Sequence, residues 1–318
     1  MPSRCSNSRV SRTAHNPSVC LLFILFVSFF VSACATMSSR AVIPSSVYTE
    51  ALRIEDFIPQ WQELNEGLYL TAGKIKNPRI EFWAIRVDLT AENIEIIVNE
   101  PDSDENRKTG KLSAITVSGF AAKYGCAAAM NAGPFSPVSD KTGEERTLTG
   151  IFISSGRMVS AADPRYDSLL LYNEGRAAIV SQADPSVFDS VRHALGGFYS
   201  ILSSGDLTAS VVDTKIRHPR SAAAIADNGR VLYLLVIDGR RLGSIGATGR
   251  ETGLLLRALG AEYGILMDGG GSSALALDFG SGGKILPVNR PVHGRIIGRE
   301  RAVATCIGVR VRPMNAKH

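Results

Sequence analysis

The sequence predicts an α+β fold: one mostly antiparallel sheet system, two or three packed helices, and an active-site cleft at strand ends. Three observations predict it. Short strand-like segments recur from Gly67 to the C-terminus, separated by glycine, proline and polar turns. Only two or three stretches carry helical spacing. One run, Val231–Asp238 (VLYLLVID), is continuously apolar, as a strand covered on both faces would be.

Taken in order, Ile80–Leu89 (IEFWAIRVDL) places Trp83, Ile85, Val87 and Leu89 on one face and reads as a half-buried strand, with Ile94–Asn99 as its partner. Pro101–Lys111 is polar and charged and reads as a loop. DSDEN at 102–106 resembles a calcium loop but lacks the turn glycine and the closing glutamate. Leu112–Tyr124 has apolar residues near helical spacing and ends at Gly125, so it predicts a helix. Cys126–Met130 is a short buried strand leading to Asn131, and further strands are expected at 148–154, 168–173, 177–181 and 198–202. Glu251–Leu259 predicts a second helix, ended by Gly260. Ile265–Asp268, Ala274–Asp278 and Ala302–Arg310 supply the last strands, and no internal repeat is present.

The start of the chain reads as an export signal. Residues 1–18 carry Arg4, Arg9 and Arg12 and no acid; the apolar run Val19–Val31 and the small residues Ser32 and Ala33 follow. That run is shorter than the roughly 20 apolar residues of a spanning helix. VSAC at 31–34 resembles a bacterial lipobox, which makes Cys34 the lipidated first residue of an envelope lipoprotein on the outer side of a membrane. A plain signal peptide, or an uncleaved anchor, is the competing reading. The domain expectation is a signal over 1–33, a tether and adapting segment over 34–66, and one domain over 67–313.

Of 35 basic residues, three leave with the signal; the remaining 32 face 30 acids, so the basic balance belongs largely to the signal. No basic run with interleaved aromatics remains, which removes the electrostatic footing for nucleic-acid binding. Cys126 and Cys306 lie in apolar, strand-like sequence and are either bonded to each other or separately buried. With no CxxC and scattered histidines, no zinc site is expected.

Four strand ends finish in polar or glycine-rich sequence: Asn131–Phe135 (NAGPF), Arg217–Ser221 (RHPRS), Asp238–Arg240 (DGR) and Met267–Ser273 (MDGGGSS). Function concentrates on loops that a rigid scaffold holds at such ends. The last is the sharpest. Gly269, Gly270 and Gly271 are entropically costly unless backbone must approach a ligand closely or present a nest of N–H groups to an anion. Asp268 opens the turn from a buried strand. A tight turn capped by that aspartate is the plainer alternative. No lysine follows the glycines, so this is not a phosphate loop of the nucleotide-binding type, and Ser272 lacks an obvious downstream Asp–His pair. His218 and Arg220 around Pro219 suit an anion grip, with a charged surface turn as the bland alternative. Glu251 is either functional or a first-turn acid favoured by the helix dipole. His193 and His293 read as structural.

The ordered set NAGPF (131–135), HALGGFYSIL (193–202), RHPRSA (217–222), IDGR (237–240), Glu251, LGA (259–261), MDGGGSS and NRPV (289–292) resembles the phosphodiester glycosidase family over roughly residues 80–311. Ala132 and Pro134 stand where that family usually has glycine and a variable residue, and Ser221 where threonine is frequent. The resemblance implies a hydrolase of sugar-1-phosphodiester bonds in envelope glycans or glycolipids. It makes Asp268 the base or nucleophile and Glu251 the second carboxylate. Arg220 with His218 would hold phosphate and Arg290 would join them; Asn131 and Asp238 would bind sugar hydroxyls; Gly269–Gly271 and Ser272 would line the approach. Asn131, Asp238 and Asp268 are hard donors that suit Ca²⁺ or Mg²⁺, and their spacing leaves a metal open. The alternative is a non-catalytic polysaccharide-binding lipoprotein. Sugar, anomer, aglycone and oligomeric state are not readable.

Overall fold

The computed structural model describes residues 43–211, 215–280 and 284–313. Contacts divide the chain into Met1–Ser38 and Ser39–His318, and every described element belongs to the second unit. The expected signal, Cys34 and the first part of the tether lie outside the described residues. No described helix is long and apolar enough to cross a membrane.

The fold is α+β and mostly antiparallel, as the turn-punctuated strands predict. Its largest sheet has nine strands. The order runs Tyr48–Ala51, Leu68–Ile75, Ile80–Asp88, Val231–Ile237, Arg220–Ala226, Tyr263–Leu266, Ser200–Ser203, Asp206–Leu207, with Gln62–Asn65 also paired to Leu68–Ile75. Among the described strands of this sheet, Tyr48–Ala51 alone pairs in parallel. Part of the expected adapting segment is thus a working edge of the sheet, and Val47, Ile54 and Phe57 beside it are buried.

Both faces of this sheet are covered. Trp83, Ile85, Val87, Leu232, Leu234 and Val236 point into one core. Phe82, Ala84, Leu235, Ile237, Ala222 and Ala224 point into another, which the helix Gly249–Ala258 closes with Leu255 and Leu256. Ile80–Asp88 is therefore buried on both sides, where alternation of the larger apolar residues predicted one. Burial of this kind contributes about 25 cal/mol per Å² of apolar surface.

The first core is sealed by a five-stranded sheet ordered Leu286–Pro287, Leu275–Leu277, Ala128–Asn131, Cys306–Val311, Ile94–Val98. A further five-stranded sheet, Arg157–Ser160, Phe152–Ser154, His193–Gly196, Asp167–Leu171 and Ala177–Ser181, has its own small core around Ile151, Leu170 and Phe188. Cys126 and Cys306 are both free thiols, and both are buried.

The helices depart locally from expectation. Thr116 caps Val117–Tyr124 by accepting from the Gly119 N–H at 3.1 Å, and Gly125 ends it in the left-handed region. Leu112 belongs instead to the strand Lys111–Ser113, opposite Arg146. Within the expected loop, Asp104–Lys108 forms one helical turn capped by Ser103. It buries nothing, so no apolar stripe marks it in the sequence.

Candidate active site

The strands deliver the chosen loops to one place. Arg220 pairs with Ile237, so the start of one central strand lies beside Asp238 at the end of its neighbour. Ala222 pairs with Leu266, which brings in Met267 and Asp268. Leu275 pairs with Met130 in the second sheet, setting Asn131 against the same turn.

Asn131 is the clasp between the sheets. Its Nδ2 donates to the Asp268 carbonyl at 2.6 Å, and its Oδ1 accepts from Ser221 Oγ at 2.7 Å and from the Ala274 N–H at 3.2 Å. The amide is fully buried and directed into the protein. Asp238 is likewise 1% exposed. Its carboxylate accepts from Arg241 Nη2 at 2.6 Å, from Asn289 Nδ2 at 3.0 Å and from the Arg290 N–H at 3.1 Å. Arg241 also pairs with Glu81. Arg290 thus contributes its backbone here, while its side chain is exposed.

Asp268 is half-buried and anchored through its N–H to the Ala132 carbonyl at 2.8 Å. Burial raises its carboxyl above the ordinary aspartate range, against the opposing pull of the Ser272 hydroxyl, the Arg301 charge and the Gly269 N–H. Ser272 is buried and accepts from Arg301 Nη1 at 3.0 Å. Arg301 Nε donates to His293 Nδ1 at 3.1 Å. The His293 Nε2–H in turn faces Asp140, which Arg299 also grips.

The glycines also make room for neighbouring groups of the protein itself. A Cβ on Gly271 would lie 2.5 Å from Arg301 Nη2, and one on Gly270, at φ +64°, 3.0 Å from Arg240 Nη2. A Cβ on Gly269 would meet the Pro219 carbonyl at 3.0 Å. The turn is bare so that two guanidinium groups and a neighbouring loop can press against its backbone.

Arg220 donates from Nε to the Ala247 carbonyl at 3.0 Å and from Nη2 to the Ile216 carbonyl at 3.4 Å, which fixes its orientation. His218 is held below its usual pKa by burial and by the charges of Arg220 and Arg240, so it is neutral near neutrality. Glu251 completes a capping box: it accepts from the Thr248 N–H at 2.9 Å and its own N–H donates to Thr248 Oγ1 at 3.1 Å. Its other oxygen takes Arg217. Both its oxygens are engaged.

Of the three hard donors, Asn131 Oδ1 and the Asp238 carboxylate already accept from N–H and O–H donors. Among the described residues no group of three or more His, Cys, Asp or Glu is placed to hold a metal.

The chain matches the family model of phosphodiester glycosidases over residues 124–310. It belongs to the phosphodiester glycosidase family. The matched span contains Asp268, the glycine turn and the loops of Asn131, Arg220, Asp238 and Arg301. Three solved structures share the fold. A hypothetical protein from Synechocystis aligns with a TM-score of 0.60 and 16% identity over 80% of this chain, which spans 64% of that protein. The zebrafish N-acetylglucosamine-1-phosphodiester alpha-N-acetylglucosaminidase catalytic domain, auto-inhibited by its pro-peptide, aligns with a TM-score of 0.54 and 17% identity, over 77% of this chain and 82% of that one. A protein of Burkholderia pseudomallei described as exported aligns with a TM-score of 0.51 and 16% identity, over 73% and 74%. No curated protein matches the chain.

Sequence reasoning misses Arg240, Arg301, Asp140 and the part played by His293. Arg301 sits in GRERA, indistinguishable from a solvated charge run, and Asp140 in a polar loop with no pattern at all.

Proposed function

We propose that this phosphodiester glycosidase hydrolyses the bond between a sugar and a phosphodiester in envelope glycans or glycolipids, outside the cell, held there by lipid on Cys34. One observation carries the reading: a desolvated carboxyl, Asp268, stands in a turn against which Arg240 and Arg301 are packed, with Arg220 on the adjoining loop. Neither Arg220 nor Arg240 has a carboxylate partner among the described residues, so both are available to an anion.

In this reading water attacks the anomeric carbon, Asp268 takes the proton of that water, or itself attacks first, and the carbon–oxygen bond to phosphate breaks. The phosphate monoester leaves with the electron pair, and the guanidinium groups stabilise its charge. His218, being neutral, adds a hydrogen bond rather than a charge. Asn131 and Asp238 act by locking the turn and the adjoining loops, and Glu251 by fixing Arg217 and the start of its helix. The zebrafish neighbour is named for an N-acetylglucosamine-1-phosphodiester, and the same bond class is what this site suits.

The test is turnover of a chromogenic sugar-1-phosphodiester beside the plain glycoside, in ¹⁸O-labelled water. Cleavage of the diester alone, with label in the free sugar, is expected. Label in the phosphate monoester would overturn attack at carbon, and preference for the plain glycoside would overturn the phosphate clamp.

A further inference from the structure

Single exposed apolar side chains are ordinary on a protein surface. Their distribution here is not. Of the ten large apolar residues that are exposed among the described residues, five lie on the loops around the Asp268 turn: Val138, Ile216, Leu242, Ile296 and Ile297. Leu242, 86% exposed, tops a turn closed by reciprocal Arg241 and Ser244 backbone bonds at 3.1 Å. Ile216 is 62% exposed, and its carbonyl is held by Arg220. Ile296 and Ile297 form the outer strand of a hairpin whose inner strand carries His293. Val138 lies two residues before Asp140.

The same loops carry exposed arginines. Arg240, Arg290 and Arg295 are exposed and have no carboxylate partner among the described residues. Of the acids on these loops, Asp140, Glu144, Asp238 and Glu251 are already paired with basic side chains, Glu300 accepts from Ser118, and Asp268 is half-buried in the turn. The face therefore offers projecting aliphatic side chains interleaved with uncompensated guanidinium groups. A bilayer interface offers the complement, acyl chains beneath a layer of phosphates.

We propose that the face bearing Asp268 docks on an anionic phospholipid surface, with Leu242, Ile216 and the Ile296–Ile297 hairpin entering the head-group layer and Arg295 meeting lipid phosphate. The docking stands on the surface alone and does not require the hydrolytic reading. If both hold, the substrate is met at the membrane.

The experiment uses the chain from Ser39 onward, which contains every described element and all the cores. It is sedimented with phosphatidylcholine vesicles with and without phosphatidylglycerol. Binding only to the anionic vesicles is expected. Leu242→Ser with Ile296→Ser, and separately Arg295→Glu, should each weaken it by about fivefold or more, with unchanged melting curves. Met158→Ser, an exposed apolar change outside these loops, should leave binding intact. Absence of binding to anionic vesicles would overturn the proposal, as would equal loss from Met158→Ser. Self-association that Leu242→Ser abolishes, without vesicle binding, would overturn it in favour of a second copy of the chain.

Discussion

Asp268 and Arg301 are joined through a single hydroxyl. Ser272 Oγ accepts from Arg301 Nη1 at 3.0 Å and directs its own hydrogen to the Asp268 carboxylate. The acid and the Arg301 guanidinium are thus held apart yet coupled through this hydroxyl.

Removing that hydroxyl should tune the acid rather than abolish the reaction. Ser272 lowers the Asp268 pKa, so Ser272→Ala should keep substantial turnover while the pH–rate limb belonging to Asp268 moves to higher pH. A pH profile of kcat/KM checks this; a dead variant would point to a serine nucleophile.

Asp268→Asn should lose nearly all turnover and gain stability at neutral pH. The folded-state pKa is raised, so the native protein binds more protons than the unfolded chain between the ordinary aspartate value and the raised one. Wild-type stability consequently falls as pH rises through that window, and above it the cost of the desolvated charge is fully present. Melting curves at acid and neutral pH should show the variant's advantage only at the higher pH.

Gly271→Ala should impair activity far more than stability. Its Cβ would lie 2.5 Å from Arg301 Nη2 and 3.1 Å from His293 Nδ1, so the guanidinium at the far end of a long side chain must give up its bonds to Ser272 and His293 and move aside. Turnover should fall by about a hundredfold, the usual consequence of losing one charge-stabilising donor, while the melting temperature stays near wild type. Parallel kinetics and calorimetry separate the two.

His193 should make the fold acid-sensitive. Burial lowers its pKa to about 4, and its Nδ1 accepts from the Ser155 N–H at 3.2 Å. The unfolded chain binds the proton first, so stability is full above the ordinary histidine value and is lost as pH falls through 6.5 towards about 4. The loss is roughly 3 kcal/mol by the usual conversion of pKa difference to free energy. Urea titrations of wild type and His193→Gln across that range should converge at low pH.

Neither cysteine should react in the native protein. Burial pushes the Cys126 thiol up to about 12 and the Cys306 thiol well above its ordinary value, so almost no thiolate is available. Rapid labelling of either by a thiol reagent without denaturant would contradict this.

Strand ends and their order are legible because burial leaves a chemical trace: VLYLLVID has no polar residue before Asp238 other than a tyrosine, and MDGGGSS leaves a buried strand abruptly. The reach of side chains across the fold leaves none. Arg301 meets Ser272 across 29 positions, and Asp140 meets His293 across 153. Asp238 and Asn131 read as facing substrate because they are polar at strand ends; the structure uses that polarity to tie loops together. Leu112 fits a helical spacing but is claimed by the strand opposite Arg146, a tertiary contact that overrides local pattern.

The Asn131 clasp also has a kinetic meaning. Its partners Ser221 and Asp268 lie 90 and 137 positions away, and Ser221 stands on a strand of the other sheet. Because Asn131 belongs to one sheet and Ser221 to the other, the clasp cannot be complete before the two sheets meet. The Asp268 turn is consequently fixed only once the two sheets are joined. A partly refolded chain whose sheets have formed but not yet joined has its acid unpositioned, and so carries most of the fold before it carries the chemistry.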